Sequence, residues 1–333
     1  MDNIGTSLLN ACFVNRIKVG NGNSLHLGIF NQPFYAFIMS GDKTIESRFS
    51  INKCSPYGKA KKNDIVFIKE TGKSICSYSI VSDVKYYSKE EKNLDLELLK
   101  ANYSKEICAI DNNFWQDRIN KNYASLLWIT EPKTIIPFSI EKRDKRGWID
   151  YKLQFPKTLI LISGKIGSGK TYWADKIAKE FKCNRNSFSD YLKLCCIQAG
   201  LEINRENLQK IGQWVILNDF ENFMNYTVLN NFNSKSDCLV IDGLRHVECI
   251  DYYNTIIKNV IHINLNPSES FRKVNIANRD GCYNSNFDNK DVENNFNELN
   301  KTADYIINEF TDEKSLFSFI NNIKSCNNQL SLF

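Results

Sequence analysis

The sequence predicts an α/β fold in two parts, a small strand-rich domain of α+β character over residues 1–150 and a parallel-sheet domain over residues 156–325. Three observations predict it. From Asn31 to Ile140 the chain reads as short strands with few long helices; Asp64–Lys69 and Ser77–Ser82 alternate polar and apolar residues or run apolar between turn signals. After Pro156 the pattern becomes strand, loop, helix. Thr158-Leu-Ile-Leu-Ile-Ser163 has the apolar character of a strand buried in a parallel sheet, and a glycine loop and the helical period of Tyr172–Phe181 follow it. Between the two patterns lies the charge-dense Glu141–Gly147, which places the division between Asp150 and Lys157.

Within the first part, the charged stretch Ser88–Lys100 is the best helix candidate, with Leu94, Leu96, Leu98 and Leu99 as its buried stripe. In the second part, Cys238–Asp242 and Val260–Leu265 are further strands with helical stretches between and after them. Such sheets gather ligands at the carboxyl ends of their strands.

The 333 residues suffice for two cores, and 42% apolar with 24% charged residues is a globular composition, which excludes a disordered chain. No apolar run approaches the roughly 18 residues of a membrane span. The opening MDNIGTSLLN lacks a basic segment followed by an apolar one, so no secretory leader is expected. Eleven cysteines without a C-x-x-C pair, and only three histidines, argue against a zinc site and for reduced thiols in a cytoplasmic protein. The net charge of +5 is uneven: residues 1–155 carry 23 Lys and Arg against 17 Asp and Glu, the remainder 20 against 21. A basic first part is compatible with an RNA or DNA partner, although a solvated lysine-rich face gives the same excess.

Gly164-Lys165-Ile166-Gly167-Ser168-Gly169-Lys170-Thr171 fits G-x-x-x-x-G-K-[ST] at every fixed position, with a buried strand before it and a helix after it. Glycines let the backbone curl so that successive N–H groups face phosphate oxygens. The expected ligands are ATP and Mg2+, with Lys170 on the β- and γ-phosphates and the Thr171 hydroxyl on the metal. Asp242, ending an apolar strand ahead of Gly243, is the second metal candidate; without the glycine loop it would read as a turn residue.

Taken in order, these segments resemble the nucleoside monophosphate kinase group of P-loop proteins, especially dephospho-CoA kinases and phage-type deoxynucleotide kinases. Ile241-Asp-Gly-Leu-Arg245-His resembles the segment whose arginine grips the acceptor phosphate. Asn264–Arg272 and Arg279 resemble the strand and lid where arginines close on the transferring phosphoryl group, and Thr302–Asn308 resembles the last strand of dephospho-CoA kinases. The resemblance implies a nucleotide substrate, with Lys170, Asp190, Arg272 and Arg279 taking part in transfer and Asp190, Arg205 and Arg245 holding the acceptor. Read from the residues alone, Asp190 is equally a helix-start residue and Arg205 equally a solvated first-turn residue.

Residues 28–48 contain Gly41-Asp-Lys43-Thr44-Ile-Glu46-Ser-Arg48, which resembles the G-x-K-T-x-E-x-R hallmark of ASCH domains, small β-barrels of the PUA-like group. Lys62–Lys69 resembles their "G-D-x-I" strand, with Asn63 where glycine is usual. The resemblance implies a domain that reads RNA, DNA or a modified nucleotide, with Lys43, Glu46 and Arg48 in its pocket and Thr44 beside them. A surface ion-pair cluster is the plainer reading. Trp115, Trp128 and Trp148 are expected in the core, with base stacking as the alternative. The tail, residues 326–333, ends in Gln329-Leu-Ser-Leu-Phe333, which resembles the bacterial sliding-clamp peptide; a terminus packed on its own domain is the other reading. Rival functions are a dephospho-CoA-like or polynucleotide kinase, and an ATP-binding nucleic-acid sensor, which needs neither Arg245 nor the lid arginines.

Overall fold

The computed structural model describes residues 3–20, 22–109, 111–141, 146–230, 236–280 and 290–329, with the backbone alone for 3, 279, 280, 290–294 and 324–329. The Arg279 side chain and Leu330–Phe333 of the expected clamp peptide therefore lie outside the described residues. The chain divides into two units, Met1–Leu153 and Gln154–Phe333. Among the described residues no helix is long and apolar enough to cross a membrane.

In chain order the first unit holds α1 (Asn3–Val14), β1 (Ser24–Phe30), α2 (Phe34–Met39), β2 (Ile45–Ser50), β3 (Ile65–Glu70), β4 (Ile75–Ser88), α3 (Leu96–Ile107), α4 (Asn112–Gln116), β5 (Tyr123–Ile129), β6 (Lys133–Phe138) and β7 (Trp148–Lys152). Its seven strands form a mixed sheet in the order β2-β5-β4-β3-β1-β7, with β6 also on β4; β1 and β3 are parallel and the other pairs antiparallel. The long strand β4 joins the two halves. Its first part pairs with β3 and β6, its second with β5, and the register shifts between Val81 and Asp83. One core gathers Phe30, Ile38, Val66, Ile68, Val81, Leu127 and Trp148; the other packs Ile45, Ala124 and Leu126 against Leu99, Ile107 and Trp115 from α3 and α4.

The helix expected from Ser88 begins later. Ser88 still pairs with Tyr123 in the β4–β5 ladder, and Asp95 caps α3 by accepting from the Leu98 amide at 3.0 Å. Of the expected stripe, Leu99 is buried while Leu98 is 56% exposed. Trp115 and Trp148 are core residues, and Trp128 is half-buried against the edge of the Tyr103 ring.

The second unit runs β8 (Thr158–Gly164), α5 (Lys170–Glu180), β9 (Asn184–Ser187), α6 (Phe188–Gln198), α7 (Arg205–Asn218), α8 (Phe220–Leu229), β10 (Cys238–Leu244), α9 (Val247–Ile256), β11 (Asn259–Leu265), α10 (Glu269–Asp280), α11 (Lys290–Lys301), β12 (Tyr305–Ile307) and α12 (Glu313–Gln329). Its strands lie in the order β12-β11-β8-β10-β9, every pair parallel. Leu159 to Ile162 of the central strand are fully buried, each such side chain contributing roughly 1.5–3 kcal/mol of hydrophobic stabilisation. Leu159 and Leu161 face one core and Ile160 and Ile162 the other, so an unbroken apolar run follows from burial on both faces. From β8 the chain turns first towards β10 and β9, then crosses to β11 and β12. That reversal makes the carboxyl end of β8 the switch point at which sheets of this kind bind ligands.

Candidate active site

The loop after β8 is shaped by its glycines. Gly164 and Gly167 have φ of +147° and +77°, a region side chains rarely adopt. Space forbids a side chain as well: a Cβ on Gly164 would stand 2.6 Å from Ser168 Oγ and 2.8 Å from the Leu265 carbonyl oxygen. Gly169 caps the N-terminus of α5, so the loop delivers its amides and the positive end of that helix to one place. Ser168 Oγ is buried and has no hydrogen-bond partner among the described residues, an unmet donor inside the cradle. Lys170 Nζ folds back over the loop and donates to the carbonyls of Gly164 and Lys165, both at 2.8 Å. Lys165 Nζ lies 5.3 Å from the centre of the Phe296 ring.

Thr171 Oγ1 donates to Asp242 Oδ2 at 3.3 Å, so the two metal candidates meet at the start of α5 and near the end of β10. Asp242 has a further partner that sequence reading missed: Arg185 Nη1 lies 2.9 Å from the same oxygen. Arg185 sits in a four-residue polar strand flanked by two helices, and only the β9–β10 register brings it there.

Arg272 is not an open lid residue. It is buried in α10, and its Nη1 donates to the Ile166 carbonyl at 3.1 Å, while Asn275 Nδ2 donates to the Gly167 carbonyl at 2.9 Å. Both therefore hold the loop from beneath. Sequence spacing could not reveal this, since more than 100 residues separate the partners.

On the acceptor side the residues divide. Asp190 forms a capping box with Ser187, accepting from the Ser187 amide at 3.2 Å through Oδ2, and pairs through Oδ1 with Lys193 at 3.2 Å. Arg205 is half-buried in the first turn of α7, behind the Asn204 cap. Arg245 follows β10 directly and makes no hydrogen bond or ion pair among the described residues. Its side chain is exposed, and the atoms packed around its base lower its pKa by partial desolvation. The neighbouring His246 is also lowered, first by desolvation and further by Arg245, against an opposing effect of Glu248. An exposed guanidinium with no ion-pair partner among the described residues is available to an anion.

In the first unit Lys43, Glu46 and Arg48 come together. Lys43 is buried; its Nζ donates to the carbonyls of Ile45 at 2.8 Å and Ile107 at 2.9 Å and lies 3.4 Å from Glu46 Oε2. Desolvation lowers the Lys43 pKa, and Glu46 opposes the shift. Arg48 Nε donates to Glu46 Oε1 at 2.5 Å and Nη2 to the Ile29 carbonyl at 3.0 Å; its plane lies over Phe30 and Trp148. Lys43 and Glu46 are thus buried structure, not a surface ion-pair cluster, and Lys43 fixes Glu46 instead of offering spare donors. Behind them, Trp148 Nε1 donates to His26 Nδ1 at 3.2 Å, and His26 Nε2 donates to Asp64 Oδ2 at 2.9 Å, in a fully dehydrated chain. Sequence reading did not single out His26.

No family model matches the chain, and no curated protein matches it. Solved structures similar to it include an ASCH protein from Zymomonas mobilis, 17% identical over 35% of this chain and 73% of that one, with a TM-score of 0.28. A gluconokinase from Sinorhizobium meliloti is 12% identical over 54% and 98%, with a TM-score of 0.31. A shikimate kinase from Bacteroides thetaiotaomicron is 12% identical over 52% and 98%, with a TM-score of 0.30. ASCH structures and kinases, the two kinds expected from the sequence, are both among the matches.

Proposed function

We propose that the second unit is an ATP-dependent phosphotransferase whose acceptor is a nucleotide, of the nucleoside monophosphate kinase kind. The observation that carries this reading is Arg245, an exposed guanidinium without a partner among the described residues, three positions after the aspartate that meets Thr171. A protein that only senses ATP has no need of it.

The residues fit the groups the reaction requires. The unmet Ser168 hydroxyl, the glycine backbone and the N-terminus of α5 suit phosphate oxygens. Thr171 and Asp242 suit a magnesium ion. Such an ion would rest largely on phosphate oxygens and water. When bound, magnesium draws charge from the phosphoryl group being transferred. Lys170 leaves its two loop carbonyls to meet the β- and γ-phosphates, Arg272 keeps the loop in shape, and Arg245 holds the acceptor's phosphate in line. Radiolabelled ATP offered with a panel of canonical and modified nucleoside monophosphates tests this reading. ATP binding without transfer to any acceptor would favour the sensor.

For the first unit we propose recognition of a base in RNA, DNA or a modified nucleotide, with Arg48 donating and the buried Glu46 holding it in place. Its support is the fixed pair itself, held by Lys43 and by the Phe30 and Trp148 rings. Filter binding by the full-length chain over a range of salt tests it. A Lys43→Ala/Glu46→Ala variant with wild-type affinity and salt slope would assign binding to unspecific charge. The tail Gln329–Phe333 is proposed as a sliding-clamp peptide; calorimetry against a bacterial clamp, comparing the intact chain with one ending at Asn328, tests that.

A further inference from the structure

Arg185 links three elements around the carboxylate at the end of β10. Its Nη1 lies 2.9 Å from Asp242 Oδ2, and its Nε lies 2.9 Å from Asp175 Oδ1 on α5. Arg185 stands opposite Val240, and Ser187 opposite Asp242, so Arg185 reaches Asp242 diagonally along one face of the β9–β10 pair. Asp242 is nearly buried, with 8% of its side chain exposed; that of Arg185 is 33% exposed and that of Asp175 63%.

Two donors, Thr171 Oγ1 and Arg185 Nη1, converge on one oxygen, Oδ2. Oδ1 makes no hydrogen bond to the described residues. The carboxylate is therefore both turned and neutralised. Its remaining oxygen is directed by the two bonds on its neighbour, and its charge is met by a guanidinium that cannot lose its proton. A divalent cation approaching an empty loop would find the carboxylate already compensated. One arriving on nucleotide phosphates would bring its own negative partners.

We propose that Arg185 is a positioning residue that aims Asp242 and suppresses metal binding by the nucleotide-free protein, so that the divalent cation enters only with the nucleotide. The inference rests on the phosphotransferase reading. Asp175 belongs to the same device: it holds Arg185 Nε and so keeps the guanidinium over Asp242.

Manganese(II) serves as a paramagnetic probe of the full-length protein without nucleotide. Arg185→Ala should bind it more tightly than wild type, on the order of tenfold, the scale on which one close opposite charge changes a carboxylate's affinity for a proton. Adding Asp242→Asn should abolish that gain. Asp175→Asn, a change at an exposed position, should give a smaller gain in the same direction, and Arg185→Lys should lie between Arg185→Ala and wild type because an ammonium cannot bridge both carboxylates. Circular dichroism establishes which variants are folded, and Asp175→Asn carries the test should Arg185→Ala fail to fold. Folded variants with wild-type manganese affinity would overturn the inference, leaving Arg185 as a strut between strands. Titration with a fluorescent ATP analogue separates the two ideas. If wild type binds the analogue and the variants show no manganese gain, only the role of Arg185 falls. If wild type fails to bind it, both the phosphotransferase reading and this inference fall.

Discussion

A Cβ on Gly167 would stand 2.6 Å from the carbonyl oxygen of Arg272, so helix α10 lies in backbone contact with the phosphate loop. With φ of +77° as well, Gly167 is required both by its conformation and by its neighbour. Gly167→Ala should destabilise the protein by about 1–3 kcal/mol and abolish nucleotide binding. Urea unfolding and a fluorescent-nucleotide titration measure the two effects. Near wild-type affinity would mean that α10 can yield.

Lys170→Ala should lower phosphotransfer by about 100-fold or more, because it removes the cation facing the moving charge. Stability should change little, since the side chain is only half-buried and bonds its own loop. Single-turnover assays beside thermal unfolding check this; retained transfer would remove the kinase reading.

Arg245→Ala should raise the acceptor's KM at least tenfold and leave that of ATP within about twofold, if its free guanidinium serves the acceptor phosphate alone. Arg245→Lys should recover part of the loss, restoring charge without the fork. Equal effects on both substrates would take Arg245 out of that role.

Lys43→Met should cost about 3–5 kcal/mol, because it leaves Glu46 buried with one cation fewer. The double variant Lys43→Met/Glu46→Gln should be the more stable of the two. Chemical denaturation of both proteins decides, and the reverse order would show that Lys43 acts through its two carbonyl bonds.

His262 gives the second unit an acid limit. It is buried between β8 and β12, its Nε2 2.7 Å from Ser163 Oγ and its Nδ1 3.2 Å from Thr302 Oγ1. Desolvation lowers its pKa below the ordinary 6.5, against hydrogen bonding and Asp304. Below pH 6.5 the unfolded chain therefore binds a proton that the native state refuses. The stability present above 6.5 is lost as pH falls towards the depressed native value, by at most about 1.4 kcal/mol per pH unit. His262→Gln should flatten that slope in urea titrations between pH 7 and 5. The residual slope should include His246, whose pKa is also lowered; an unchanged slope would clear His262.

Patterns contained within one segment were readable in the sequence. Thr158–Ser163 is apolar throughout because both faces of its strand are covered, and the glycine loop carries its own spacing, so strand, loop and helix fall as expected. Asp190 could be read two ways because the capping box Ser187-x-x-Asp190 is itself a local pattern. Pairings made across the sheet were not readable. Arg185 gains its meaning only from the β9–β10 register, and Arg272 from a helix more than 100 residues beyond the loop it supports. The late start of α3 is of the same kind: nothing local to Ser88 says that β5 keeps it in a strand.

The contact of Gly164 with Leu265 and of Gly167 with Arg272 bears on how the protein is made. The loop leaves the ribosome long before β11 and α10 do, so a nascent chain ending before Arg272 carries the complete phosphate motif without the backbone that confines it. Such a chain should not retain ATP. During vectorial synthesis, nucleotide capture would then mark the moment at which the C-terminal half of the sheet has docked, and a nucleotide-affinity step would select full-length molecules from prematurely terminated ones.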